Sequence, residues 1–190
     1  FPNNSVEYFV SYYDYYQPEA YIPSTDTFID KPSAINDDID KMRHRATRSL
    51  FERRDCIIVS SVSCIYGLGA PDEYFRSRFP IHVGQKIARD DFIKKCIEMN
   101  FYRNDISLER GKLRVRGDII EIIPSYETEN ALRIQFFADT IEKISLIDAL
   151  KGKTITTVQS ETIYPATHYV LNRNKIESIT DNMRAEMVAE

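Results

Sequence analysis

Apolar positions recur with a helical period in the first part of the chain. Five of them fall at spacings of four, three, four and four: Ile35, Ile39, Met42, Ala46 and Leu50. This stripe predicts a helix, with Ser33 as a candidate cap and acidic residues on its first turns. We expect the cations of this helix to lie mostly off the stripe. The apolar run D-C-I-I-V-S-S-V is typical of a buried parallel strand, and Pro71 opens a short helix after a glycine loop. Helix, strand and glycine loop together indicate an α/β unit.

The pattern changes near residue 78, where we place a domain boundary. A helix around residues 90–99 precedes G-K-L-R-V-R-G-D-I-I-E-I-I-P, which predicts two strands joined at Gly117-Asp118. Further strands are predicted in A-L-R-I-Q-F-F, E-K-I-S-L-I, T-I-T-T-V and E-T-I-Y-P. Several short strands with one helix predict an α+β domain with a mostly antiparallel sheet over residues 78–165. Residues 166–190 are expected to begin a returning helix.

The segment S-Y-Y-D-Y-Y-Q-P-E-A-Y-I-P near the start is unusually rich in tyrosine. The stretch before Gln17-Pro18 and the stretch Ala20 to Asp30 are predicted to face each other as two strands of a ribbon. Its tyrosines either cover a ribbon or an interface, or stack on nucleic-acid bases, and the sequence favours neither interpretation.

Charge and cysteine content narrow the classes of function. The net charge of −4 argues against a uniformly basic nucleic-acid binder, although residues 41–54 and 103–116 carry basic runs. Three cysteines, without C-x-x-C spacing, predict no zinc or iron site and fit a reducing cytoplasm. We find no membrane span or signal peptide in the sequence and expect a cytoplasmic location. The first residue, Phe1, and the uncapped helix at the end indicate an internal piece of a longer protein.

Catalytic motifs are missing from the sequence. Gly152-Lys153-Thr154 lacks the first glycine of a phosphate loop and lies between two predicted strands, so it is predicted to be a turn. The serines of S-S-V-S-C have no nucleophile-elbow context, and we predict no catalytic residue and no metal site.

Three cations alternate along one predicted strand. Lys112, Arg114 and Arg116 share a face, with Leu113 and Val115 facing inward. They form either a solvated outer face, the more frequent case, or a docking face for an acidic partner, which Arg133 on the next strand would extend.

Several of these segments resemble the UvrB family of bacterial nucleotide excision repair over essentially the whole chain. The motifs are V-E-Y-F-V-S-Y-Y-D-Y-Y-Q-P-E-A-Y-I-P-S-T-D-T-F-I-D-K, F-E-R-R-D, S-V-S-C-I-Y-G-L-G, R-V-R-G-D-I-I-E-I-I-P and I-Y-P-A-T-H. The resemblance implies that residues 1–77 form part of a helicase-like domain of the P-loop NTPase type, followed by the domain that docks UvrA.

Two groups of site residues follow from this resemblance. A hairpin over about residues 12–35 would pass between the strands of damaged DNA. Its implied DNA contacts, together with a loop residue at position 66, are Tyr12, Tyr13, Tyr15, Tyr16, Glu19, Tyr21, Phe28 and Tyr66. The implied UvrA contacts are Arg103, Arg114, Arg116, Arg133 and Gln135. An acidic residue is usual at the last of these positions, so we expect docking with one ionic contact fewer.

The resemblance also implies what this chain lacks. The ATP and magnesium sites would lie elsewhere in the longer protein, so we expect no ATPase activity and no cofactor here, and contact with UvrC only through the longer protein. One alternative is a UvrA-binding fragment of the transcription-repair coupling factor, which lacks the tyrosine hairpin. A self-contained nucleotide hydrolase is a third hypothesis, opposed by the missing motifs.

Overall fold

The computed structural model describes residues 2–11, 20–29, 36–65 and 71–169. The chain divides into two compact units, Phe1–Gly67 and Leu68–Glu190. The domain boundary that we place near residue 78 stays a prediction, as does the returning helix over residues 166–190.

The first unit contains a two-stranded parallel sheet and one long helix. Strand β1 (Ser5–Phe9) pairs in parallel with β4 (Cys56–Ser60), and helix α1 (Asp37–Glu52) lies between them in sequence. A small core joins them, formed by Phe9, Ala46 and Cys64. The parallel pairing confirms the strand type expected for residues 56–60. The prediction that this strand is buried is wrong, because Ile57 and Ile58 are half-buried and Val59 is 46% exposed.

Helix α1 begins one turn later than the sequence indicates. Its cap is Asn36, whose side-chain oxygen accepts hydrogen bonds from the backbone N–H groups of Asp38 and Ile39 at 3.0 and 3.2 Å. The expected cap, Ser33, lies outside the described residues. The predicted acidic first turn is present, which suits the positive end of the helix dipole. Leu50, the last residue of the apolar stripe, is 56% exposed.

Arg43 is buried, although we expect the cations of this helix to lie mostly off the apolar stripe, in water or against a partner. It is 5% exposed, and its Nη1 atom donates to the backbone oxygen of Val10 at 2.8 Å. Its guanidinium carbon lies 4.3 Å from the ring centroid of Phe9. A backbone acceptor and an aromatic face therefore replace the water that this cation loses.

The tyrosine-rich region contributes a short antiparallel hairpin. Strand β2 (Ala20–Ile22) pairs with β3 (Thr27–Ile29), and Asp26 in the turn has a φ of 48°. The prediction that Ala20 to Asp30 forms one strand of a ribbon is therefore wrong, because this segment folds back on itself. Its predicted partner before Gln17 lies largely outside the described residues.

The second unit is built on a six-stranded sheet of order β11-β10-β9-β8-β7-β6. All neighbours are antiparallel except β6 and β7, so the predicted mostly antiparallel sheet is confirmed. The strands of this sheet are β6 (Tyr102–Arg103), β7 (Lys112–Arg116), β8 (Ile119–Ile122), β9 (Asn130–Phe137), β10 (Thr140–Asp148) and β11 (Thr154–Val158). The unit also contains α2 (Pro71–Arg76), α3 (Arg89–Glu98), and the paired strands β5 (Phe79–His82) and β12 (Ser160–Ile163).

One face of this sheet packs against helix α3. Phe92 on the helix is fully buried, with its ring centroid 5.1 Å from that of Phe79 and 5.4 Å from that of Phe136. We call the side of the sheet that contacts α3 the inner face and the opposite side the outer face. Because side chains alternate along a strand, the inner-face residue Leu113 is 0% exposed while its neighbours Lys112 and Arg114 lie on the outer face. This arrangement confirms the alternation predicted for strand β7.

The predicted turn at Gly152 is also confirmed. It joins β10 to β11, and Gly152 has a φ of 67°, a conformation that glycine adopts without strain. In the part of the chain that the structure describes, no helix is long and apolar enough to cross a membrane.

Candidate protein-docking site on the outer sheet face

A charged row crosses the outer face at right angles to the strands. Arg114 on β7 lies opposite Glu121 on β8, which lies opposite Arg133 on β9. Ser145 on β10 continues the row. Directly opposed residues on neighbouring strands bring their side chains together, so the ladder itself places one carboxylate between two guanidinium groups.

Glu121 binds both arginines, one with each carboxylate oxygen. Arg114 donates through Nε at 2.9 Å and through Nη2 at 2.5 Å to Oε2. Arg133 donates through Nε at 2.8 Å and approaches with Nη2 at 2.7 Å to Oε1. Forked contacts of this kind fix the plane of a guanidinium group. The two arginines are therefore held in position before any partner arrives.

The carboxyl group of Glu121 stays ionised although its side chain is buried. Burial is the largest single influence on its pKa and raises it, but the hydrogen bonds and charges of Arg114 and Arg133 together outweigh burial. The net result is a pKa below the ordinary value for glutamate. Glu121 therefore carries a charge at neutral pH, and both of its oxygens are occupied by the two arginines.

A second row lies beside the first and contains unpaired cations. Arg116 lies opposite Ile119, which lies opposite Gln135, and Gln135 lies opposite Lys143. Arg116 and Lys143 are exposed, and neither forms an ion pair with a residue that the structure describes. Gln135 places no negative charge between them, so this row presents net positive charge to solvent.

Residues of β7, β8 and β9 from these two rows form one side of a cleft of about 490 Å³. The turn between β10 and β11 forms its other side. The cleft is lined by Arg114, Arg116, Ile119, Glu121, Arg133, Ala149, Leu150, Lys151 and Gly152. Cations exceed carboxylates among these residues, which favours an anionic occupant.

Arg103 lies apart from this cleft, on the short edge strand β6. It donates to Asp105 through Nε at 3.0 Å and Nη2 at 2.8 Å, and Asp105 also accepts from the backbone N–H of Val115 at 2.9 Å. The hydrogen bond from Arg103, followed by that from Val115, lowers the pKa of Asp105. Arg103 is thus tied to strand β7, where it could extend a docking surface beyond the cleft.

Most of the predicted DNA contacts lie outside the described residues. These are Tyr12, Tyr13, Tyr15, Tyr16, Glu19 and Tyr66. The remaining two, Tyr21 and Phe28, are directly opposed on the β2–β3 ladder. The expectations of no catalytic residue, no metal and no cofactor stay predictions.

Six residues that line the cleft are missing from the sequence-based site: Ile119, Glu121, Ala149, Leu150, Lys151 and Gly152. Glu121 lies in the run I-I-E-I-I, where a polar residue between apolar ones marks the outer face but does not reveal its two partners. Leu150 and Lys151 lie in a turn, and only the folded chain shows that this turn borders the arginines. Of the missed residues, only Glu121 would be found by a search for polar residues inside apolar strands.

Comparisons with known proteins agree with this architecture. Residues 79–169 match the family model described as the UvrB interaction domain. The chain is 54% identical over 187 residues, 98% of its length, to UvrABC system protein B of Nitratidesulfovibrio vulgaris, of which it covers 28%. It is 52% identical over all 190 residues to the protein of that name from Streptococcus pyogenes, of which it covers 29%.

A third relative is UvrABC system protein B of Streptococcus thermophilus, 52% identical over 187 residues. The chain spans less than a third of the length of each of these relatives. The aligned part includes the tyrosine-rich segment, which is the feature that separates the UvrB hypothesis from the coupling-factor hypothesis. Residues 79–169 therefore form a UvrB interaction domain, and the chain as a whole is similar to a segment of UvrABC system protein B.

Proposed function

We propose that the second unit docks UvrA through the outer face of its six-stranded sheet, as part of the UvrABC excision-repair system. The observation that carries this proposal is the set of fixed guanidinium groups around Glu121. Arg114 and Arg133 are held by that buried carboxylate, and Arg116 beside them forms no ion pair with a described residue. A face that served only solubility would not need a buried carboxylate to orient its cations.

The family supports the choice of partner. The matched family model is described as an interaction domain, and it covers the strands that carry this face. Charge complementarity then requires an acidic surface on UvrA, and cations at an interface speed association and select the partner. The glutamine at position 135 leaves all the cations of this face in place. We therefore expect UvrA docking to persist in this chain.

Replacement of Arg116 tests the docking proposal most cleanly. Arg116→Glu reverses an exposed charge without disturbing the Glu121 hydrogen bonds, and we expect UvrA binding to weaken about tenfold or more. The matched control is Lys94→Glu, which makes the same charge change at an exposed position of helix α3. Isothermal titration calorimetry with purified UvrA measures both. Equal affinities for the wild type and the Arg116 variant would contradict the proposal.

We also propose that the tyrosine-rich hairpin contacts damaged DNA. The described part is an antiparallel ladder in which Tyr21 opposes Phe28, and aromatic rings stack on bases of any sequence. The region carries many carboxylates and few cations, so ring stacking would contribute more to binding than attraction to phosphate. The remaining tyrosines of the predicted contact would act in the same way.

The DNA proposal is tested in a full-length protein that contains this segment. Tyr12→Ala combined with Tyr13→Ala should abolish preferential binding to lesion-bearing over intact duplex, as measured by fluorescence anisotropy. A matched control replaces Tyr102, an exposed tyrosine of the second unit that is 74% exposed, with alanine. Retained preference in the double variant would remove the role that we assign to those rings.

We further propose that this chain by itself does not hydrolyse ATP. The support is the sequence, in which the only G-K-T tripeptide lies between β10 and the start of β11 and lacks the first glycine of a phosphate loop. ATP and magnesium would bind elsewhere in the longer protein, which would also carry the contact with UvrC. Phosphate release above background by the purified chain would contradict this proposal.

A further inference from the structure

The turn between β10 and β11 is held in one conformation by its own hydrogen bonds. The carboxylate of Asp148 accepts from the backbone N–H groups of Leu150 at 3.0 Å and Lys151 at 2.7 Å. The N–H of Gly152 donates to the backbone oxygen of Asp148 at 2.8 Å, and the N–H of Ala149 donates to that of Glu129 at 2.8 Å. We call residues 149–152 the lip of the cleft. It is ordered without a partner, so little conformational entropy is lost when one binds.

Leu150 is the apolar tip of this lip. Its side chain is 92% exposed although it lines the cleft, and Lys151 next to it is an exposed cation. Single exposed leucines are common and need no explanation by themselves. Here the leucine is fixed at the border of a cationic cleft, where a partner that neutralises the arginines would also cover it.

The charges of the cleft determine what can occupy it. Glu121 is its one carboxylate, and both oxygens of Glu121 are already bound to Arg114 and Arg133. Arg116 forms no ion pair with a described residue, and Lys151 only approaches Asp148 at 4.0 Å. The occupant must therefore bring its own negative charge. The cleft volume of about 490 Å³ accommodates several side chains of a polypeptide segment rather than one.

We propose that the cleft takes an acidic segment of the docking partner, with carboxylates against Arg116 and Lys151 and an apolar side chain packed on Leu150. This inference rests on the proposed docking function and names the chemistry of the segment that fills the site. Leu150 supplies the apolar anchor, and Arg116 and Lys151 supply the positive charge. A nucleic-acid backbone would satisfy the cations but offers no apolar side chain for Leu150.

Two substitutions at Leu150 test the anchor. Leu150→Ala removes the apolar contact, and we expect the affinity for purified UvrA to fall about tenfold. Leu150→Asp also adds a charge that repels an acidic segment, so its affinity should be lower still. The matched control is Ile106→Asp, since Ile106 is equally exposed at 92% but does not line the cleft, and its affinity should equal that of the wild type. Thermal unfolding checks that all variants keep the native fold.

The outcomes separate this inference from the docking proposal. Loss of UvrA binding in Arg116→Glu with full binding in Leu150→Asp would overturn the anchor while leaving the docking proposal intact. Absence of UvrA binding by the wild-type chain would overturn both. Binding of a short oligothymidylate that Leu150→Asp weakens, with UvrA binding unchanged, would show that the cleft takes a nucleic-acid backbone instead.

Discussion

Arg133 and Glu121, on neighbouring strands of the sheet, are joined by an Nε–Oε1 hydrogen bond of 2.8 Å inside a largely buried network. The carboxylate faces an arginine on each side, since Arg114 occupies its other oxygen. A negative charge at the centre of the proposed docking face would weaken its attraction for an acidic partner. Its position indicates that orientation of the guanidinium groups matters more for this face than its total charge.

Two explanations are possible for this face: the orientation of its guanidinium groups or its total charge controls UvrA affinity. Glu121→Gln distinguishes them, because they predict opposite changes in that affinity. The change makes the face more positive, so attraction alone would strengthen UvrA binding. An amide offers one acceptor oxygen and one donor NH2 group, so one arginine would lose its acceptor and meet a donor. We therefore expect binding to weaken about fivefold in titration calorimetry.

A matched control for this change is Glu109→Gln. Glu109 is an exposed carboxylate that pairs with Lys112 and does not line the cleft. Its loss changes the net charge equally and should leave UvrA affinity the same or slightly higher. Tighter binding by the Glu121 variant would show that charge, rather than orientation, controls docking.

The same carboxylate should make stability depend on pH in the acid range. The pKa of Glu121 is lower in the folded chain than its ordinary value. The folded state therefore binds fewer protons, and the stabilisation is complete above the ordinary value of about 4.3. It is lost as the pH falls through the lower folded pKa. Urea unfolding from pH 7 to 3 should show the advantage of the wild type over Glu121→Gln shrinking toward zero at the acid end. A difference in the free energy of unfolding between the two proteins that stays constant from pH 7 to 3 would contradict this role of Glu121.

Phe136 and Phe137 provide a matched pair for the packing of the sheet. Phe136 is 4% exposed and contacts Phe92, whereas Phe137 is 74% exposed. Phe136→Ala should lower the free energy of unfolding by about 3–5 kcal/mol, because it leaves a cavity in the core. Phe137→Ala should change it by about 0.5 kcal/mol or less. Similar losses in both variants, measured by urea unfolding, would place the inner face on the wrong side of β9.

The cysteines should differ in reactivity. Burial raises the pKa of the Cys96 thiol to about 12, so almost no thiolate is present at neutral pH. Cys56 is only half-buried. At pH 8, iodoacetamide should modify Cys56 in the native chain and Cys96 only after denaturation, as peptide mass spectrometry would show. Rapid native modification of Cys96 would mean that Cys96, on helix α3, is not buried against the sheet.

The two units should also differ in hydrogen exchange. The core of the second unit gathers residues from α3, the paired strands β5 and β12, and the six-stranded sheet, while the described core of the first unit centres on Phe9, Ala46 and Cys64. The free energy of local unfolding should therefore be lower in residues 1–76 than in residues 80–165. Equal protection factors across both ranges would contradict the predicted boundary near residue 78.

The sequence determined the local structure of the second unit with little help from tertiary contacts. The alternation of Lys112, Leu113 and Arg114 assigned the outer and inner faces, and the glycines at 117 and 152 located two turns. These features follow from the two-residue period of a strand and from the backbone freedom of glycine, which are properties of neighbouring residues. The family resemblance followed from short motifs in the same way.

Tertiary structure decided everything that depends on residues distant in the sequence. Arg43 follows the pattern of a solvent-facing cation, yet the fold brings Val10 and Phe9 to it and buries it. The segment after Ala20 pairs with itself through a turn that contains Asp26, whose φ is 48°. Glu121 acquires its role from Arg133, twelve residues away, and Leu150 from a turn that closes over the arginines. Strand register and chain reversal create these contacts, and neither is encoded in the pattern of any one segment.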